Sequence, residues 1–257
     1  MNIIFLSLLA GVVGMGFGGA ITAIFGTKTD KIVSIFLSLA GGVMVSIVLI
    51  ELIPEAIEYS NVAIATIGLV LGGLLVMGLH GIMDRISKLG KFKTHSSYAE
   101  FFHSDGILDN KKSLIRSGMI MLFAIALHNV PEGLAMGAAG YHDAALGITI
   151  ATMIALHNIP EGMAISAPLI SGGMSKIKTL ILVMLTGATT VIGAIAGVLI
   201  GGISYMALAL SFSIAGGAML YVVFGEILPQ SIVTSKDKVP AVFALVGIIV
   251  GLLFTQI

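Results

Sequence analysis

The chain has no cysteine and no tryptophan, and only 10% of its 257 residues are charged. Without cysteine there can be no disulfide and no thiolate metal site. Without tryptophan, anchoring at a membrane interface falls to 5 Tyr and 12 Phe. An ordinary soluble domain carries about 25% charged residues, so this chain cannot cover its surface with charge. That excludes a soluble enzyme and a disordered chain. Thirteen basic residues balance thirteen acidic ones, so there is no overall attraction to polyanions and no reason to expect a nucleic-acid partner. What is there is apolar: 57% of residues are hydrophobic and the mean hydropathy is +1.10. The composition implies an all-α polytopic membrane protein whose first partner is the lipid bilayer.

About 20 apolar residues cross a bilayer as a helix. On that measure the sequence predicts eight transmembrane helices, at roughly 3–25, 33–57, 62–84, 117–140, 145–169, 178–202, 204–230 and 239–257. The first lacks a basic segment ahead of it and is too long for a cleaved signal, so it is read as a span. Lys28 and Lys31 fall between spans one and two. Arg85, Lys88, Lys91, Lys93, Lys111, Lys112 and Arg116 fall between three and four. Lys176 and Lys178 lie between five and six, and Lys236 and Lys238 between seven and eight. All thirteen basic residues therefore occupy odd-numbered loops. Basic loops stay in the cytoplasm, which puts both termini outside. The stretch 86–116 is expected to be a flexible cytoplasmic loop, and its His95 and His103 are read as solvated. The chain is one domain: helices 1–3 within 1–85, the loop 86–116, central helices 4–5 within 117–170, and helices 6–8 within 171–257.

Two internal repeats are visible. Residues 124–135 read AIALHNVPEGLA and residues 153–164 read MIALHNIPEGMA, 29 positions later. Residues 38–55 (SLAGGVMVSIVLIELIPE) match 213–230 (SIAGGAMLYVVFGEILPQ), 175 positions later. In the predicted topology each pair of matching spans runs antiparallel, so the plan is three spans, a central pair, and three spans inverted. Transporters built on inverted repeats bind substrate near the midplane between the repeats, often at broken helices.

An ionised side chain at the centre of a membrane helix costs about 2.5–3.5 kcal/mol on insertion scales. This chain places Glu51, Glu55, Glu132, Glu161 and Glu226 within its spans, with His128, Asn129, His157 and Asn158. Spaced i,i+4, His128 and Glu132 share one helical face, and His157 and Glu161 repeat the arrangement. Asn129 and Asn158 flank them. Pro131 and Pro160 each remove a backbone hydrogen bond and are expected to kink their helices, freeing the carbonyls of Leu127 and Leu156. Gly133 and Gly162 permit close helix approach. Two helices that each supply an imidazole and a carboxylate make a four-ligand set for a divalent cation. Such ligands suit zinc, iron, nickel or copper, and the carboxylates also admit manganese. Glu51, Glu55 and Glu226, with Gln230 one turn beyond Glu226, are candidates for the transport path. His80 with Asp84, and His142 with Asp143, are read as structural or solvated pairs. Without cysteine, the 14 methionines are packing residues and not copper(I) ligands.

With HNVPEG and HNIPEG on adjacent spans, eight spans, outer termini and a long third loop, the chain resembles the ZIP (Zrt/Irt-like) metal transporters, in their GufA-like or ZupT-like branch. The resemblance covers the whole chain and is most specific over 124–166. It implies a primary metal site of His128, Glu132, His157 and Glu161, and an adjacent second site in which Asn129 and Asn158 share the two glutamates. Some members of that family carry Asp at the Asn158 position, and many have a Glu-Pro in span six. Here TGATTVIGA puts Thr190 and Val191 there, which favours one strong site over a binuclear centre. The resemblance further implies uptake toward the cytoplasm across the cell (inner) membrane. Zinc is the expected cargo, iron, manganese, cobalt and cadmium are admissible alternatives, and a homodimer is an allowed assembly.

The leading expectation is thus a divalent metal-ion transporter and not an enzyme. The alternative is an intramembrane metal-dependent hydrolase, in which a zinc with an open position activates water. Against it, the sequence has no H-E-x-x-H and the glutamates are more useful as ligands than as free bases. A proton-coupled carrier of a neutral organic solute is a third reading.

Overall fold

A backbone crossing lipid must satisfy its own hydrogen bonds, and a helix does so within a single segment. In the computed structural model, which describes residues 2–25, 29–89, 111–142, 144–200 and 204–254, the regular structure is entirely helical. Eight helices make up the described residues. We number them α1 (Ile3–Phe25), α2 (Asp30–Ile47 continuing to Glu58), α3 (Val62–Leu89), α4 (Lys111–His142), α5 (Ala144–Ser171), α6 (Lys176–Ile200), α7 (Tyr205–Ser235) and α8 (Val239–Phe254). Six of them, α1, α2 and α4–α7, are long and apolar enough to cross a membrane; in α3 and α8 the apolar stretches Val62–Gly78 and Val239–Leu253 are shorter.

Local chemistry sets the helix ends. The Asn2 side chain accepts the Ile4 amide at the start of α1, Thr29 accepts that of Ile32 at α2, and Ser204 accepts that of Ala207 at α7, as N-cap side chains do. At the far end of α7, Lys236 adopts a left-handed conformation (φ 57°), which stops the helix. Asp237 then takes the Ser235 hydroxyl and the Val239 amide, and these bonds hold its carboxyl below the usual carboxylate range.

The described structure shortens the expected 86–116 loop from both sides. Helix α3 continues to Leu89, and α4 begins at Lys111. The reason is plain: Lys111–Arg116 contains neither Gly nor Pro, so nothing stops α4 from extending beyond its apolar stretch as a charged helix. The other readings within that loop, on His95 and His103, lie outside the described residues, as do Asp143 and the side chains of His80, Asp84 and His142.

A second difference concerns where the helices deviate. Both α4 and α5 run unbroken through Pro131 and Pro160. Among the described residues the departures from α-helical bonding are three π turns, Leu9–Val13 in α1, Val48–Leu52 in α2 and Val223–Ile227 in α7. The last two begin 175 residues apart, the offset of the longer sequence repeat, and each is followed by a proline, Pro54 or Pro229, in the first turn of the next helical piece. Across each turn the chain bonds at five-residue spacing, Ile53 N–H to the Val48 carbonyl and Leu228 N–H to the Val223 carbonyl. Proline has no N–H to offer the carbonyl four residues back, and a π turn re-aims the bonds around that gap. Glu51 and Glu226 lie within these two turns.

The helices pack in two groups. In one, α4 packs on α5 and α6 while α1 packs on α5 and α6. In the other, α2 packs on α8, α3 on α7, and the end of α7 on α2. The groups meet where α2 lies on α5 and α7 on α4. Met44, Ile47, Met121, Ile125, Ile165 and Met219, all buried, fill the core. Within the second group Ser34 and Ser231 are fully buried and bond reciprocally: each hydroxyl donates to the other's backbone carbonyl at 2.9 Å.

Candidate metal site

The most densely polar part of the interior is where α4 faces α5. Alanines and glycines around the H-N-x-P-E-G segments bring the surrounding helices close. A methyl group on Gly133 would overlap the Thr190 carbonyl on α6, and one on Gly162 would overlap the Met15 carbonyl on α1. Glycine at these two places is what lets α4 and α5 seat their neighbours at backbone distance.

Each helix presents its His and Glu one turn apart, and the two pairs meet crosswise. Nε2 of His128 on α4 lies 2.9 Å from Oε1 of Glu161 on α5, and Nε2 of His157 on α5 lies 3.2 Å from Oε2 of Glu132 on α4. All four residues are buried, at 2% exposure or less. An ionised carboxylate can only accept, so in each pair the ring donates from Nε2. In a neutral ring the lone pair then sits on Nδ1.

The asparagines face outward from this pair of helices. Asn129 Nδ2 donates to the Thr186 carbonyl on α6 at 3.3 Å, and Asn158 Nδ2 donates to the Ala10 carbonyl, in the π turn of α1, at 2.9 Å. These bonds fix the amide orientation, and each Oδ1 is left as the free acceptor. Six buried atoms consequently find no partner among the described residues: Nδ1 of His128 and His157, Oε1 of Glu132, Oε2 of Glu161, and Oδ1 of Asn129 and Asn158. Leaving a buried acceptor unpaired costs about 1–3 kcal/mol, so the chain carries a concentrated electron-donor surplus here. Buried lone pairs of imidazole, carboxylate and amide on two packed helices are the donor types that a divalent cation takes. As they stand, no three His, Asp or Glu among the described residues enclose a single point. A cation would have to exchange the His–Glu bonds for bonds to itself.

Thr190 lies at the edge of this region on α6, fully buried, and its Oγ1 has no hydrogen-bond partner among the described residues. The path candidates lie on other helices, and Glu51 is within electrostatic reach of His157 and Glu132. Glu51, Glu55 and Glu226 are half-buried, on α2 and α7. Ser117 on α4 donates to Glu226 Oε2 at 3.1 Å, linking the two helix groups. Gln230 is buried, one turn beyond Glu226. Sequence reasoning did not single out Ser117, Ser34 or Ser231. A serine in an apolar run is a weak signal by itself. The carbonyl partners Thr186 and Ala10 leave no side-chain signature at all.

Comparison with known proteins agrees with this chemistry. The sequence pattern of the family described as ZIP Zinc transporter matches residues 84–257. The zinc transporter ZupT of Akkermansia muciniphila is 35% identical over 266 residues, covering 98% of this chain and 94% of the relative. ZupT of Chlorobium chlorochromatii is 32% identical, covering 100% of this chain and 97% of its own. The zinc transporter GufA of Myxococcus xanthus is 34% identical over 165 residues, 64% of this chain and 59% of its own.

Proposed function

Because the chain belongs to the ZIP zinc transporter family, a family of transporters and not of enzymes, we propose that it carries zinc into the cytoplasm through an intramembrane His/Glu site. Family membership sets aside the hydrolase reading. The observation that carries the proposal is the crossed pairing of His128 with Glu161 and of His157 with Glu132, surrounded by acceptors that the protein leaves unpaired. Zinc binds imidazole nitrogen and carboxylate oxygen readily. Without thiolate the hold is moderate and reversible, as a carrier requires. Iron, manganese, cobalt and cadmium are secondary cargoes on this chemistry.

In this reading His128, Glu132, His157 and Glu161 form the principal site. Asn129 and Asn158 contribute amide oxygen beside it, and Glu51, Glu55, Glu226 and Gln230 line the approach and departure. Thr190 offers a neutral hydroxyl where relatives of the resemblance have a carboxylate, which leaves a second cation with little charge compensation.

The architecture we propose is a 3+2+3 inverted repeat in the cell membrane, with both termini outside. Three observations support it. Every basic residue lies in an odd-numbered connection or within six residues of a helix end that borders one. The π turns of α2 and α7 share the 175-residue offset. The packing pattern is unchanged when α1 is exchanged with α6, α2 with α7, α3 with α8 and α4 with α5. A homodimer in the membrane is compatible with this plan.

The test is zinc flux into proteoliposomes holding the purified chain, with iron(II), manganese(II), cobalt(II) and cadmium(II) as competitors. The proposal expects flux above that of protein-free vesicles, with zinc the preferred ion. No flux for any of the five metals would refute it.

A further inference from the structure

The two rows of polar side chains that flank the central site are unequal. On α2 and the residue that caps it, Glu51, Glu55 and Tyr59 follow at four-residue spacing, and on α7 Glu226, Gln230 and Thr234 occupy the positions 175 residues later. Residues four apart stack on one helical face. The first member is Glu in both rows. The second is a carboxylate on α2 and an amide on α7. Glu58, exposed near the end of α2, is likewise matched by Val233. By the topology proposed above, the α2 row leads outward and the α7 row leads to the cytoplasm.

The α7 row is tied internally: Gln230 Nε2 donates to Thr234 Oγ1 at 3.2 Å. This bond has a consequence for the amide. The Thr234 hydroxyl donates its one proton to the Gln230 backbone carbonyl at 2.7 Å. It can then only accept from the side chain, which requires the amide nitrogen to point at it and Oε1 to point away. Gln230 is 1% exposed, and its Oε1 has no hydrogen-bond partner among the described residues. A buried amide has therefore been oriented so that its oxygen is presented unpaired, one turn from Glu226.

We propose that Gln230 Oε1 is a cation-binding oxygen on the cytoplasmic side of the path, and that its neutrality sets how fast zinc leaves. This rests on the transport reading above. An amide oxygen replaces part of a cation's hydration shell without adding a counter-charge, so it lowers the barrier to passage and does not trap the ion. A carboxylate in the same place would hold zinc more tightly. The carboxylate of Glu55 on the outer side gathers the cation, and the amide of Gln230 on the inner side lets it go. Thr234 is a positioning residue that acts through Gln230.

The experiment compares zinc flux in proteoliposomes with equilibrium zinc binding in detergent for the full-length wild type and three variants. Gln230→Leu keeps the bulk and loses the oxygen. It should cut maximal flux about tenfold, the loss expected for one hydrogen-bond-strength contact to a charged species, while zinc affinity at the central site stays unchanged. Gln230→Glu should lower both KM and maximal flux, the signature of a deeper well at the exit. Thr234→Val, which frees the amide to rotate, should give a partial loss of maximal flux with unchanged central affinity. Wild-type flux in Gln230→Leu, or flux in Gln230→Glu equal to or faster than wild type, would overturn the inference. Loss of central zinc binding in Gln230→Leu would also overturn it, since the residue would then be acting on the fold. A wild type without flux would instead count against the transport reading itself, so the two failures are distinguishable.

Discussion

The imidazole of His128 bonds not to Glu132, one turn away on its own helix, but to Glu161 on the neighbouring one, with Nε2 and Oε1 2.9 Å apart. The same exchange joins His157 to Glu132. Each helix supplies half of two mixed pairs, so α4 and α5 cannot slide past one another without breaking both. A cation that draws on all four residues is therefore held by two helices at once.

The first prediction follows from that cross-bonding. In a double-mutant cycle on zinc affinity, His128→Ala and Glu161→Ala should be strongly non-additive, with a coupling of about 1–3 kcal/mol, as groups in one network behave. His128→Ala combined with the exposed, remote Asn61→Ala should be additive. Isothermal titration of zinc into detergent-solubilised protein measures both.

The second concerns acid. Histidine must be neutral and glutamate ionised to bind a metal, so bound zinc competes with protons. Lowering the pH from neutral should weaken zinc binding, and zinc binding in weak buffer should release protons. Affinity that rises on acidification would show that these groups are not the ligands. A pH series of zinc titrations, with proton release read from two buffers of different ionisation enthalpy, supplies the check.

A third prediction uses glycine. Gly133→Ala places a methyl against the Thr190 carbonyl, whereas among the described residues nothing lies within 4 Å of a methyl on Gly78. The first should destabilise by about 1–3 kcal/mol, the range for overpacking. The second should be neutral or slightly stabilising, because alanine is the better helix former by up to about 1 kcal/mol. Thermal unfolding in detergent separates them.

The buried serines give a fourth. Ser231→Ala removes its donation to the Ser34 carbonyl and leaves Ser34 half of its partnership. A loss of about 1 kcal/mol is expected, with no change in zinc affinity at the central site. Melting temperature and zinc titration on the same preparation test both halves.

The fifth tests orientation and exploits the absence of native cysteine. Asn61→Cys, between α2 and α3, should react with a membrane-impermeant maleimide added to intact cells. Lys238→Cys, between α7 and α8, should react only after permeabilisation. The reverse pattern would invert the topology.

Much of this was legible in the sequence, for definite physical reasons. Lipid leaves the backbone little choice but helix, so apolar run length alone located the eight helices. Ionisable groups are so costly in an apolar run that His128, Glu132, His157 and Glu161 stood out before any fold was known. Their i,i+4 spacing placed each pair on one helical face. It could not say that each histidine bonds to the opposite helix, because that depends on the relative rotation of α4 and α5. The prolines did not mark every irregularity. Pro131 and Pro160 are absorbed in continuous helices, while the three π turns include one, Leu9–Val13, with no proline at all. The start of α4 at Lys111 was hidden because a helix that leaves the apolar layer loses the hydropathy signal but not its helical propensity.

The central claim is that zinc crosses on the crossed His/Glu pairs. Initial rates of zinc uptake into proteoliposomes, measured side by side for the wild type, His157→Ala and Glu161→Ala at equal protein incorporation, address it most directly. The account predicts that both substitutions reduce uptake nearly to the level of protein-free vesicles. Wild-type rates in both variants would contradict it.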